Sequence, residues 1–342
     1  MLAVATINDS SKANPEPSPA VLHSIPSQKH ISEAHDIEPC LPPEVQDLCI
    51  LTLADMAFEF VDDRHGPRWQ MRDASAKQAL KTCLFVSSRM RYCAASRLFH
   101  TIDIPGATNL GDALEIREQL GLLNAISAGT STPGSKPSPL SIGRFVKIIK
   151  LQVVDEIYKD VFDDFSILNG FLLDVLSCRP TLKHLTLCGY PGLVWPSFGA
   201  EFQRLFSKVA LLPTLVDLTI ANIGGIPRSV LCGSTSVTEV LFFLVSTPMD
   251  EGENIDPLPA LQELTLDAGL DGVVMKRCGT LAITSHQLRK ARFNINIEDG
   301  FHRVTKVLRS SYESLSHLTI KVPSVLSPLT PAEISDLLTP CS

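Results

Sequence analysis

Apolar residues recur along the second half of the chain with one spacing, L-x-x-L-x-L in outline. The pattern falls at Val146/Ile149/Leu151, Leu182/Leu185/Leu187, Leu215/Leu218/Ile220, Val237/Val240/Phe242, Leu261/Leu264/Leu266, Leu288/Ala291/Phe293 and Leu315/Leu318/Ile320. The last two positions of each triplet stand two residues apart, the period of a strand with one buried face. Seven strands are therefore expected, separated by intervals of 22 to 36 residues. Helical spacing fills some of the gaps, at Phe171 to Cys178, Phe202 to Leu211 and Phe301 to Leu308. A strand that feeds a helix and returns to a parallel strand hides its apolar face only against its neighbours, so the pattern predicts stacked α/β units. A doubly wound α/β domain is the alternative that the same alternation leaves open.

Upstream, the period changes. Pro42 and Pro43 suit a first helical turn, and Val45, Leu48, Cys49 and Leu53 follow at helical spacing. A charged loop with Asp62, Asp63, Arg64 and Trp69 is expected next. Helical spacing then returns at Leu80, Cys83, Leu84 and Ser87, and again at Met90, Ala94 and Leu98. Thr101 to Ile104 reads as a strand ended by Pro105, and Leu110 to Leu123 as a helix. Residues 1–38 are rich in Ser and Pro without apolar period, which predicts a disordered tail. Ser127 to Ser141 has the same composition and predicts a flexible loop. The expected organisation is a tail (1–38), a helical segment (39–104) and a repeat domain (105–342). Thr330 to Glu333 has the form of a capping box and predicts one more helix.

Composition narrows the function classes. With 44% apolar and 20% charged residues the chain has the material for a core. Its net charge of -7 and lack of a Lys/Arg block call for neither a nucleic acid nor an anionic membrane as partner. Apolar runs such as Val240 to Val245 are far shorter than the roughly 20 residues of a bilayer span. The start, Met1 to Asn8, lacks the features of a secretory signal, so a cytoplasmic or nuclear location is expected, with the nine scattered cysteines reduced. H-E-x-x-H, G-x-S-x-G, G-x-G-x-x-G and C-x-x-C are all absent. Gly129 and Gly134 have phosphate-loop spacing but are followed by Ser135-Lys136 in a Pro/Ser stretch. His184 and His317 share one repeat position and are expected in solvent. Enzyme, cofactor and metal site are accordingly not expected. Trp195 reads equally as a partner anchor or as a ring folded back over a repeat end.

The segments LPPEVQDLCILTLA (41–54) and ALKTCLFVSSRMRYCAASRLFHTIDI (79–104) resemble the F-box, in the form found in fungal proteins with degenerate repeats. Met90 stands where that family usually has Trp. The resemblance implies a three-helix block that binds a Skp-type adaptor, and through it a cullin-based ubiquitin ligase. By position it assigns adaptor contact to Leu41, Pro42, Val45, Val86, Leu98 and Phe99. The triplets resemble leucine-rich repeats, although the Asn expected three residues after the last Leu occurs only at Asn296, so irregular turns are expected. The function implied is a non-enzymatic substrate-recognition subunit that captures a protein. A leucine-rich-repeat scaffold with no ligase role is the alternative.

Repeat register also locates a capture face. Residues alternating with the buried pair point to the opposite side of the sheet, where most are polar. Leu241 and Phe243 interrupt that face, with Glu239 and Glu263 on one side and Lys290 and Arg292 on the other. The opposing expectation is that Val237 to Val245 is buried on both faces.

Overall fold

The computed structural model describes residues 41–63, 66–107, 109–128, 141–152, 163–178, 180–190, 192–243, 245, 255–257, 260–267, 282–294, 307–309, 311 and 313–321. The expected tail, residues 129–140 of the expected loop, Asn296, the start of the helix expected at Phe301, and Thr330 to Glu333 lie outside them.

The chain runs α1 (Pro43–Ala57), β1 (Phe58–Asp63), β2 (Gly66–Met71), α2 (Ala74–Cys83), α3 (Ser88–Leu98), β3 (Thr101–Ile104), α4 (Leu110–Ala128), β4 (Ile148–Gln152) and α5 (Asn169–Ser177). It continues with β5 (His184–Cys188), α6 (Ala200–Ala210), β6 (Asp217–Ala221), α7 (Arg228–Cys232), β7 (Glu239–Phe243), β8 (Ile255–Pro257), β9 (Glu263–Asp267), β10 (Ala282–Thr284), β11 (Lys290–Asn294) and β12 (His317–Lys321). The fold is α/β. Eight strands form one parallel sheet in the order β12-β11-β9-β7-β6-β5-β4-β3, while β8 and β10 pair separately. A doubly wound sheet reverses its strand order at a switch point, and this order never reverses.

All seven apolar triplets lie in one register. Ile149, Leu185, Leu218, Val240, Leu264, Ala291 and Leu318 pair across the sheet, as do Leu151, Leu187, Ile220, Phe242, Leu266, Phe293 and Ile320. An eighth unit precedes them, because β3 sets Ile102 against Ile149 and Ile104 against Leu151. The entrance to each strand repeats as well. The carbonyls of His100, Lys147, Lys183, Val216, Thr238, Gln262 and Arg289 each accept two backbone N–H groups from the next unit. Hydroxyls reinforce this ladder: Thr181 donates to the Val146 carbonyl, Ser285 to Leu261 and Ser314 to Leu288. Side-chain oxygens thus help to satisfy the turn carbonyls without an asparagine at each turn. Asn222 does similar work one residue earlier than the sought position. It adopts φ 56°, which asparagine tolerates better than most residues, and its amide donates to the Gly189 carbonyl.

The inward strand positions pack against α4, α5 and α6 through Ile116, Leu120, Phe171, Leu172, Phe202 and Phe206. Trp195 belongs to this cluster, with its ring 5.4 Å from Phe198 and 5.8 Å from Phe206. Of its two readings the folded-back one holds.

The three N-terminal helices enclose a second cluster built from Ile50, Ala54, Ala57, Ala76, Leu80, Cys83 and Ala94. Asp73 caps α2 by accepting from Ser75 and Ala76, and Ser87 caps α3 by accepting from Met90. Tyr92 of α3 meets the Phe145 ring edge-on at 5.0 Å, with the Arg144 guanidinium over both rings. One local expectation is corrected here. The charged loop around Trp69 is an antiparallel hairpin, with Phe58 to Asp63 paired in register to Gly66 to Met71. Six consecutive backbone pairings hold it, which the charges at its tip concealed. In α1 the apolar residues at helical spacing divide: Val45, Leu48 and Cys49 are exposed and Leu53 is half-buried, while the buried line is Gln46, Ile50, Ala54 and Ala57. A helix apolar on most of its circumference carries two candidate stripes, and the one with alanines lets neighbouring helices approach closely.

Candidate functional site

Two surfaces gather the residues singled out by sequence. The first is the N-terminal end of the helical block. Pro42 starts α1, its carbonyl accepting from the Val45 and Gln46 amides. The Gln46 side chain then donates to the Leu41 carbonyl and lies 3.5 Å from the Ser87 hydroxyl. That contact draws the turn at 84–87 against the start of α1, and Asp47 pairs with Arg89 beside it. Around this polar pin stand Leu41 (49% exposed), Val45 (38%), Phe85 (82%) and Val86 (56%). Large apolar side chains exposed to this degree in one place are what a docking surface requires. Leu48, at 63%, extends the patch along α1.

Leu98 and Phe99 are elsewhere. Leu98 packs against the helical cluster and Phe99 against the sheet cluster, both half-buried. They support the junction between the layers. Phe85 was not singled out by sequence, and Leu48 only as part of the apolar helical spacing of α1, not as a contact. The signal for them was the apolar run Leu84 to Val86 at a helix end, and an α1 with more apolar positions than one buried stripe uses.

The second surface is the outward face of the sheet. β7 alternates as expected for a strand with one buried face: Val240 and Phe242 are buried, Leu241 and Phe243 are half-buried, and Glu239 is exposed. The expectation of a strand buried on both sides therefore fails. Register brings the six named residues onto three neighbouring strands. Glu239 pairs with Glu263 and Glu263 with Lys290, whereas Leu241 reaches Arg292 across Thr265. Beyond them lie Asp217 and Thr219 on β6, and His317 and Thr319 on β12.

The charges on this face are unequally matched. Lys290 is ion-paired with Glu263, and His184 meets Asp217 at 3.3 Å. Glu239 stands between the two carboxylates. Partial burial, followed by Asp217 and Glu263, holds its carboxyl above the ordinary range, with His184 and Lys290 opposing. At the other end of the sheet β4 is covered on both faces, and Lys150 is buried there.

Among the described residues no group of three His, Cys, Asp or Glu side chains is placed to hold a metal ion, and no helix is long and apolar enough to cross a membrane. Cys83 and Cys178 are buried, Cys93, Cys188 and Cys232 half-buried and Cys49 exposed, with no disulfide among them. No family model matches the chain, and no curated protein and no solved structure matches it either.

Proposed function

We propose that this chain is a non-enzymatic adaptor, in which an F-box-like helical block docks a Skp-type adaptor of a cullin ubiquitin ligase and a leucine-rich-repeat-like sheet captures a protein substrate. The observation that carries the reading is the exposed patch of Leu41, Val45, Phe85 and Val86, pinned together by Gln46 and Ser87. Left in water, such a patch invites nonspecific association. Laid against the helices of a partner, it contributes about 25 cal/mol for each Å² buried. The in-register parallel strands in chain order support the repeat part of the reading, since each unit completes its core only with its neighbours.

The test is binding of the full chain to a purified Skp-type adaptor, compared with Leu41→Asp and Val45→Asp variants. A micromolar or tighter complex is expected for the natural chain, and a loss of about tenfold or more for each variant at unchanged melting temperature. Absence of a complex with the natural chain would leave the repeat scaffold without a ligase role as the better reading.

A further inference from the structure

Resting on the reading that the sheet captures a protein, we infer that its outward face takes an extended segment of that protein carrying a basic, an apolar and an acidic side chain at alternate positions. The inference begins with the charges that this face leaves unmatched. Lys290 and Glu263 satisfy one another, and Asp217 has His184. Glu239 faces two carboxylates on its neighbouring strands, and the basic side chains nearest it, His184 and Lys290, are already engaged with those same carboxylates. A partner's Lys or Arg set against Glu239 would relieve that repulsion. Two strands from Leu241 in the same row, Arg292 is exposed, with Thr265 and Thr319 beside it in that row and Glu263 and Asp267 two residues to either side of Thr265 on β9. A partner's carboxylate is the complement there.

Leu241 and Phe243 lie on Glu239's own strand, Leu241 in Arg292's row and Phe243 two residues beyond it. Both are half-buried; Thr186, Thr219, Thr265, Arg292 and Thr319 otherwise fill Leu241's row, whereas Phe243 pairs with Ala221 and Asp267. An apolar side chain resting against Leu241 would be desolvated while the charges at the edge set its orientation.

Geometry selects the conformation. Glu239 and Arg292 are two strands and two residues apart, about 12 Å at roughly 4.8 Å per strand and 3.3 Å per residue. An extended chain presents alternate side chains on one face and advances about 13 Å in four residues. A basic residue at Glu239 and an acidic one four positions on at Arg292 would therefore set the alternate side chain between them over β9, about 6 Å from Leu241 at the same spacings. A segment of one charge sign meets a like charge at one end.

Selection of a random peptide library, displayed on phage, against the immobilised full chain tests this. Enriched peptides should share the basic, apolar, acidic alternation. Measured by fluorescence polarisation, their affinity should fall about tenfold for Glu239→Lys and for Arg292→Glu, at unchanged melting temperature. Affinity for Glu239→Lys should return when the peptide's basic residue is changed to Glu. Failure to enrich any peptide, or enriched peptides indifferent to both charge reversals, overturns the inference. The same variants should bind the Skp-type adaptor as the natural chain does. A chain that selects these peptides yet binds no adaptor would sink the ligase reading alone.

Discussion

Asp174 and His100 show how single polar residues are managed where the units meet. Asp174 is a buried carboxylate on α5, and it accepts from the Ser141 hydroxyl and from the Gly143 amide at 2.9 Å. The pairing anchors the residues that lead into β4. Gly143 is required there because a β-carbon would stand 2.8 Å from the Asp174 backbone. His100 is half-buried at the strand entrance, with Lys147, Arg97 and His184 nearby. Burial first, then the charges of Lys147 and Arg97 and the coupling to His184, pushes its pKa down from 6.5 to about 4. The folded protein therefore holds the neutral ring, and the unfolded chain binds the extra proton between those values. The stability linked to His100 is complete above about pH 6.5 and is lost as pH falls toward 4. Glu239 acts in the opposite sense, because a carboxyl held above its ordinary value is relieved by protonation. We predict that the urea midpoint falls from pH 7 to pH 4.5 less steeply in His100→Gln than in the natural chain. Equal slopes would show that His100 carries none of the acid sensitivity.

At the scale of the element, the strand entrances show why units of unequal length keep one register. The repeated pair of N–H groups on a single carbonyl sets the pitch, and Thr181, Ser285 and Ser314 supply hydroxyls to neighbouring carbonyls. Lengths vary only between strands, where the chain is not bound to this ladder. Ser285 is itself buried and accepts from the Gln287 amide while donating to Leu261. Ser285→Ala leaves the Leu261 carbonyl short of one partner and should cost about 1 to 2 kcal/mol. Ser314→Ala should cost about 1 kcal/mol, with the double variant close to the sum. Chemical denaturation measures all three. A Ser285→Ala midpoint equal to that of the natural chain would mean that the backbone pairs alone sustain the register.

Across the whole molecule, burial is graded along the sheet. Leu185, Leu187, Leu218 and Ile220 in β5 and β6 are fully buried beneath α5 and α6, while Leu318 and Ile320 in β12 are only partly covered. A unit with one neighbour shields less of its apolar face than a unit with two. Native-state hydrogen exchange should therefore find the slowest amides in β5 and β6 and faster exchange in β12. Uniform protection over all eight strands would indicate a single cooperative unit instead. The two candidate surfaces belong to different layers, the helical block and the outward sheet face. Charge reversal on one is accordingly expected to leave binding at the other intact.

The sheet was legible from the sequence because strand register is written locally. A slip of one residue would send Leu185 and Leu187 into solvent, so the two-residue apolar period determines both the strand and its buried face. The same period marked Leu241 and Phe243 as outward before any neighbour was known. The helical block was legible only in outline. Its three helices follow from spacing, but the orientation of α1 depended on whether Ile50 with its alanines or Val45 with Leu48 packs better against α2 and α3. That competition is decided by the shapes of other elements, which no local pattern contains. Charge pairing across strands was likewise beyond local reading. Adjacent residues on the sheet face are 22 to 47 positions apart in the chain, so only the assembled sheet decided that Lys290 answers Glu263 and leaves Glu239 beside its fellow acids.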